Sequence, residues 1–326
     1  VDKDLWERNS ELVDMIRELS NVVRDAVRPH LGSAAAKEIE GHGASGDATF
    51  SIDEIAEREV EQFLSGRGDI AYYTEDRGLV VLGEPERILV IDPIDGTRPA
   101  AAGLESCCVS IAVAGFAPDP EVLTLKDVFL GLVSEIKNEA TFMALKGSGA
   151  RIEIEGSRVV PGLSQKAGLN NIFWTAGFRG RPAEPLVTVI GELIDLSSVD
   201  GGCFDLGSAT FSITRVVRGE MDVYVDVGQR MAEESEAVRN KFLEVGHGAI
   251  LNNYPYDLSA AALIAEEAGA VVSDAYGRPL GTYPLIPVGD GGQMSSIVSA
   301  NPVLHQEVLR QVERGIAHLK TRYGGR

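Results

Sequence analysis

The stretch Asp92-Pro93-Ile94-Asp95-Gly96-Thr97 constrains this chain most. It follows directly on Arg87-Ile-Leu-Val-Ile91, an apolar run of β-branched and aliphatic residues. Such a run reads as a buried strand. A buried strand does not continue through two carboxylates, a proline and a glycine, so the chain is expected to turn there, at the rim of a core. Pro93 restricts the backbone on both sides of itself, and Gly96 permits a tight turn. A turn of this kind can aim both carboxylates and one backbone carbonyl at a single point, an all-oxygen donor set of the sort Mg²⁺ takes. The N–H groups of Gly96 and Thr97 could then face the oxygen of an anion. Taken alone, the same residues could equally form an Asx turn that closes a loop.

Two further segments bear on that choice. Thr74-Glu75-Asp76 lies at the end of another predicted strand, and Tyr256-Asp257 opens a helix ahead of Ala260-Ala261-Ala262. Asp257 by itself reads as an N-cap. Together the segments offer four carboxylates at the ends of separate elements, the usual look of an assembled metal site.

The chain has 326 residues. At roughly 150 residues per domain that suggests about two domains or one large layered unit. The expected division is an N-terminal α+β half, 1–160, and a C-terminal α/β half, 161–326. Leu12, Ile16, Leu19, Val23 and Val27 recur at helical steps until Pro29, and a glycine-rich loop runs from Gly41 to Gly46. Ser51 and Glu54 give a capping-box pattern ahead of a second helix through Ile55, Val60 and Phe63. Cys107 to Phe116, Val128 to Ile136, Glu139 to Lys146 and Arg151 to Glu155 read as an antiparallel meander. After a connection from Val160 to Gly168 come a strand at Leu169 to Thr175 and a helix from Ser208 to Arg218. A strand at Met221 to Val227 and a helix from Leu258 to Ala268 follow. The last helix opens on Asn301-Pro302. Residues 228–253 fit neither period. Strands and helices in both halves imply stacked sheets and helix layers, an α/β (α+β) fold.

Thirty basic residues stand against 49 acidic ones, a formal net charge of −19. Nucleic-acid binders carry a basic stripe, and none is visible. An acidic protein that acts on an anion must reverse its field locally, and bound divalent cations do so. No apolar run approaches the ~20 residues a membrane-spanning helix needs. Cys107, Cys108 and Cys203 form no metal or redox motif and read as buried thiols. With no signal-peptide pattern after Val1-Asp2-Lys3-Asp4, the expected location is cytoplasmic. His30, His42, His247, His305 and His318 are scattered without ligand spacing, and His247 is the one nearest the proposed site in sequence. No Ser or Cys sits in a nucleophile motif.

Six segments in order resemble the inositol monophosphatase superfamily, which includes fructose-1,6-bisphosphatases and 3′-phosphoadenosine phosphatases. They are Gly46-Asp47-Ala48-Thr49 through Asp53, Thr74-Glu75-Asp76, Asp92 to Thr97, Gly207-Ser208-Ala209 with Gly219-Glu-Met-Asp222, Tyr256-Asp257 through Gly269, and Ser299-Ala-Asn-Pro302. The resemblance covers nearly the whole chain. It implies a layered αβαβα sandwich and Mg²⁺-dependent, Li-sensitive hydrolysis of a small phosphate monoester. It implies two or three Mg²⁺ ions, with Mn²⁺ as a substitute. Glu75, Asp92 and the Ile94 carbonyl would hold one ion, and Asp92, Asp95 and Asp257 another. Thr97 and Asp53 would orient the attacking water near Glu75. Gly96, Thr97, Arg98, Gly207, Ser208 and Asp226 would line the substrate site. The partner would be a small phosphorylated metabolite, and the assembly a homodimer.

Three departures bear on the substrate. Thr74 and Asp76 stand where the family carries glycine and a second glutamate. Arg98-Pro99 follows the signature threonine, and Arg98 either contacts substrate, pairs with an acid such as Glu105, or points to water. About 25 extra residues separate Asp226 from Asp257, and they carry Arg230, Arg239, Lys241 and His247. They form either a lid or a surface excursion. An inositol or sugar monophosphate is the expected substrate. A bisphosphate held by Arg98 and the basic residues of the insertion is the alternative, and a non-catalytic phospho-ligand or metal binder is a third reading.

Overall fold

The structure is a computed structural model describing residues 3–42, 48–287 and 289–324. Most of the expected Gly41–Gly46 loop, and the Gly46-Asp47 pair, lie outside these residues. The chain opens with α1 (Lys3–Arg8) and α2 (Ser10–Val27), followed by a ribbon of β1 (Ile39–His42) and β2 (Ala48–Phe50). α2 buries Val13, Ile16, Leu19, Val23 and Val27 along one stripe, as its spacing dictates. α3 (Ser51–Leu64) buries Ile52, Ala56, Glu57, Val60 and Leu64. Its start differs from the expected Ser51/Glu54 box. Ser51 is already helical, Phe50 is the N-cap, and its N–H donates to Asp53 Oδ2 at 2.9 Å.

The strands β3 (Ile70–Thr74), β4 (Gly78–Val81), β5 (Arg87–Asp95), β6 (Cys108–Gly115), β7 (Val128–Glu135), β8 (Ala140–Leu145), β9 (Ala150–Ile154) and β10 (Ser157–Val159) form one sheet. Its order is β10-β9-β8-β7-β6-β5-β3-β4. The expected meander is its β6–β9 part. α4 (Thr97–Ala102) branches off between β5 and β6.

The second half contributes β11 (Phe173–Ala176), α5 (Ala183–Ser197), β12 (Gly202–Phe204), α6 (Ala209–Arg218), β13 (Val223–Asp226), α7 (Gly228–Glu234) and α8 (Glu236–Val245). It ends with α9 (Pro255–Ala268), β14 (Val271–Ser273), β15 (Ser296–Ser299) and α10 (Pro302–Tyr323). Its five strands pair in the order β12-β11-β13-β15-β14.

Three apolar clusters define the layers. α2 and α3 cover one face of the large sheet. α6 and α9 fill the space between the two sheets, with Ala260, Ala261 and Ile264 against Val90, Ala112 and Val133 on one side and Val298 on the other. α5, α7, α8 and α10 cover the outer face of the small sheet. The result is the αβαβα sandwich, and α6 and α9 from the second half of the chain share a core with the sheet of the first.

Residues 228–245 form a packed helical pair, and 246–253 return as irregular chain to α9. Met231, Val238 and Phe242 are fully buried. Arg230 is buried and binds Glu313 at 2.5 Å and the Ala275 carbonyl at 2.6 Å. Lys241 lies over Tyr323.

Candidate functional site

The site grows from an interruption in β5. Residues three apart in a regular strand point to opposite faces. Asp92 pairs with Ser110 and Asp95 with Cys108, so three steps on β5 oppose two on β6. This bulge resets the alternation and lets both carboxylates share one side. Pro93, which has no N–H to give a ladder, sits inside it. Asp92 Oδ1 accepts from the Ile94 N–H at 3.0 Å, so the expected Asx-type turn is present within the cluster instead of replacing it. Gly96 then adopts φ +94°, and a Cβ there would lie 2.4 Å from the Ser106 carbonyl. Only glycine fits.

α9 supplies the third carboxylate. It begins at Pro255, so Asp257 is not the N-cap. It lies in the first turn, and its Oδ2 accepts from the Tyr254 N–H at 2.6 Å. Carboxylate oxygens of Asp92, Asp95 and Asp257 all lie within 4.8 Å of one another. Asp95 is aimed by α6: Ser208 Oγ and the Thr210 N–H donate to its Oδ2 at 2.7 and 2.6 Å. Thr210 Oγ1 donates to the Asp257 carbonyl at 2.7 Å, tying α6 to α9.

The electrostatics are those of a site built for cations. Burial pushes Asp92 well above the carboxylate range, and the charges of Asp95, Asp257, Glu75 and Asp53 push it further. Asp257 rises chiefly through burial, then through Asp95 and Glu75. Asp95 rises through burial against the hydrogen bonds from Ser208 and Thr210. Like charges cannot crowd together in a buried setting without protons or metal ions. Three carboxylates from two elements, β5 and α9, converging within 4.8 Å, fit a hard divalent cation. Glu75 lies outside this trio but lines the same cleft.

Beside the trio, Thr97 Oγ1 lies 2.9 Å from Asp53 Oδ1 and 3.2 Å from the Ile94 carbonyl. Burial pushes Asp53 up to about 8, although Phe50 and Thr97 hydrogen-bond to it. The cleft is open to solvent and is lined by Glu75, the trio, Ile94, Gly96, Thr97, Arg98, Gly207, Ser208 and Asp226. Arg98 is exposed, with its guanidinium 5.4 Å from the Phe50 ring. Ser208 spends its hydroxyl on Asp95. Asp226 is buried with both oxygens engaged: Oδ1 accepts from the Gly228 N–H, and Oδ2 accepts from Arg181 and Asn253. Neither is turned over to a ligand alone.

Arg179, Arg181, Tyr224 and Asn253 also line the cleft, and sequence reasoning missed them. Arg179 lowers the pKa of both Asp95 and Asp257. Two arginines in Gly177-Phe-Arg-Gly-Arg181 after a strand were the available signal. The basic residues of the insertion, Arg230, Arg239, Lys241 and His247, are not among the residues lining the cleft.

Known proteins match along most of the chain. A fructose-1,6-bisphosphatase/inositol-1-monophosphatase from Methanothermobacter thermautotrophicus is 26% identical over 304 residues, covering 90% of this chain and 94% of that protein. A bifunctional NADP phosphatase/NAD kinase from Methanocaldococcus jannaschii is 23% identical, covering 87% of this chain and 47% of that protein. The Thermotoga maritima IMPase structure superposes with a TM-score of 0.66 at 22% identity, covering 95% of this chain and 99% of that one. The pattern of the inositol monophosphatase family runs from residue 8 to residue 317, and the chain belongs to that family.

Proposed function

We propose that this phosphoric monoester hydrolase cleaves a small sugar or polyol phosphate by attack of water at phosphorus, with Mg²⁺ held by Asp92, Asp95, Asp257, Glu75 and the Ile94 carbonyl. The observation that carries this reading is the carboxylate trio within 4.8 Å, with Asp92 and Asp95 buried and Asp257 half-buried, set beside the Thr97–Asp53 pair. Bound divalent cations in such a site neutralise phosphate oxygens, acidify water and stabilise the leaving oxygen. The rest is positioning, because phosphoryl transfer needs alignment and charge stabilisation and no covalent nucleophile.

Thr97 Oγ1 orients the attacking water and passes its proton toward Asp53 Oδ1. Burial raises the proton affinity of Asp53, so its ionised form is a stronger proton acceptor than an exposed carboxylate. Ser208 and Thr210 keep Asp95 from rotating. Arg98 and Arg179 face the same cleft and supply positive charge for the substrate's phosphate or for a second anionic group. The test is phosphate release from a panel of inositol, sugar and bisphosphate esters, with Mg²⁺ or with chelator. Chelator and Asp92→Asn are each expected to abolish release, with the fold of Asp92→Asn intact by circular dichroism. Full activity in excess chelator would sink the reading.

A further inference from the structure

α3 bears on the site through more than the Asp53–Thr97 contact. Glu54, Glu57 and Glu61 are three and four residues apart, so they share one face of the helix. That face meets the turn 74–77, which carries Glu75. Glu57 is the one charged residue in the buried stripe of α3, at 2% exposure among Ile52, Ala56, Val60 and Leu64. A carboxylate buried this deeply persists only if its oxygens are used. They are: Oε2 accepts from Thr74 Oγ1 at 2.9 Å, and Oε1 accepts from the Asp76 N–H at 3.4 Å. Thr74 Oγ1 in turn accepts from the Arg77 N–H at 3.1 Å. The Arg77 guanidinium then bridges Glu61 at 2.6 Å and Glu54 at 2.7 Å.

Both chain neighbours of Glu75 are therefore fastened to one helix, and the residue after them is fastened twice. A strand-end carboxylate without such anchors would sample several orientations. Losing the groups that orient a metal ligand typically costs about 10–100-fold in metal affinity. Packing alone does not explain the arrangement, because an apolar residue at 57 would fill the stripe without burying a charge.

We propose that Glu57 is a positioning residue for the metal centre, acting through Thr74 Oγ1 and the Asp76 N–H to fix the turn that presents Glu75. The inference rests on the reading of Glu75 as a metal ligand. The test uses the full chain stripped of metal and Mn²⁺ as the probe, with free Mn²⁺ followed by electron paramagnetic resonance and no substrate present. Thr74→Val removes the hydroxyl at nearly constant volume, Thr74→Ser keeps it, and Glu57→Gln weakens the acceptor.

Thr74→Val and Glu57→Gln are expected to weaken Mn²⁺ binding about tenfold, the lower end of what lost orienting contacts cost. Thr74→Ser should stay within about twofold of wild type. The double variant should lose little more than either single one, because the two residues act as one unit. Metal-free melting temperatures of Thr74→Val and Thr74→Ser should agree within about 2 °C, a difference of under ~1 kcal/mol. Wild-type affinity in Thr74→Val overturns the proposal. So does equal loss in Thr74→Ser, or a loss that tracks a fall in metal-free melting. If neither Thr74→Val nor Glu57→Gln folds, the contact is structural and the proposal fails. Wild type that binds no Mn²⁺ removes the metal-centre reading itself, a result distinct from variants that bind as well as wild type.

Discussion

Thr97 joins two carbonyl-type oxygens, Asp53 Oδ1 and the Ile94 carbonyl, through one hydroxyl. In the proposed reaction that hydroxyl would hold the attacking water, an interaction that strengthens as the water attacks. Thr97→Ala is therefore expected to lower kcat about a hundredfold with KM changed little, the magnitude typical of losing a proton-handling group. A rise in KM at constant kcat would contradict the role. Arg98 and Arg179 divide a second question. Arg98 is exposed over Phe50, and Arg179 is close enough to depress the pKa of Asp95 and Asp257. Arg98→Ala should weaken a bisphosphate more than a monophosphate, by about 1.5–3 kcal/mol, the range for hydrogen bonds to charged groups. Arg179→Ala should weaken both equally, because its charge acts at the reacting centre. Kinetics on paired mono- and bisphosphates check this. No effect from Arg98→Ala would remove it from the substrate site.

Elements were legible where the pattern was long or the turn chemistry strong. β5 and its Asp92-Pro-Ile-Asp-Gly-Thr97 turn could be read because apolar run, proline and glycine are adjacent. What the sequence hid was the bulge that turns Asp92 and Asp95 to one side, since pairing against β6 is not a local property. α5 was missed altogether. Leu186, Val189, Ile190 and Leu193 keep the helical period, but Pro185 and Gly191 lie within the span and mask it. α7 and α8 are too short, at 7 and 10 residues with Ser235 between them, to display a period. Arg181 and Asn253 meet only through tertiary packing at Asp226. The missed α5 also makes a prediction. It packs on α10 with Gly315 at the crossing, where a Cβ would lie 2.0 Å from the Val189 carbonyl. Gly315→Ala must push two helices apart and should cost about 1–3 kcal/mol, the usual range for overpacking. Urea titration should show a lower midpoint at unchanged slope, with Mn²⁺ affinity unaltered. A wild-type midpoint would mean the crossing yields at no cost.

At the scale of the whole molecule, the acidic cleft ties stability to pH and to metal together. Asp53 is pushed from 3.8 to about 8 and Glu57 from 4.5 to about 7, in both cases chiefly by burial. Between pH ~4 and ~8 the metal-free fold therefore holds protons that the unfolded chain has released. When the native state binds more protons, stability falls as pH rises. The raised groups thus contribute most at low pH, and their contribution disappears as pH passes through the folded values. Cations reverse the sign, because they bind the deprotonated carboxylates and their stabilisation grows with pH. Burial holds the His305 imidazole down to about 4, which gives an opposing slope only up to about pH 6.5, so the interval from pH 6.5 to 8 reads the carboxyl groups. Metal-free protein is expected to melt on the order of 5 °C lower at pH 8 than at pH 5, equivalent to a few kcal/mol in a chain of this size. Saturating Mg²⁺ should shrink or invert that difference, and Asp53→Asn should flatten the metal-free slope by removing one of the groups that carries it. Differential scanning calorimetry at four pH values, with chelator and with Mg²⁺, reads all three. A metal-free melting temperature that rises from pH 6.5 to pH 8 would show that the carboxyl groups around the cleft are ionised in the fold without cations, and the argument that burial demands a metal there would fail.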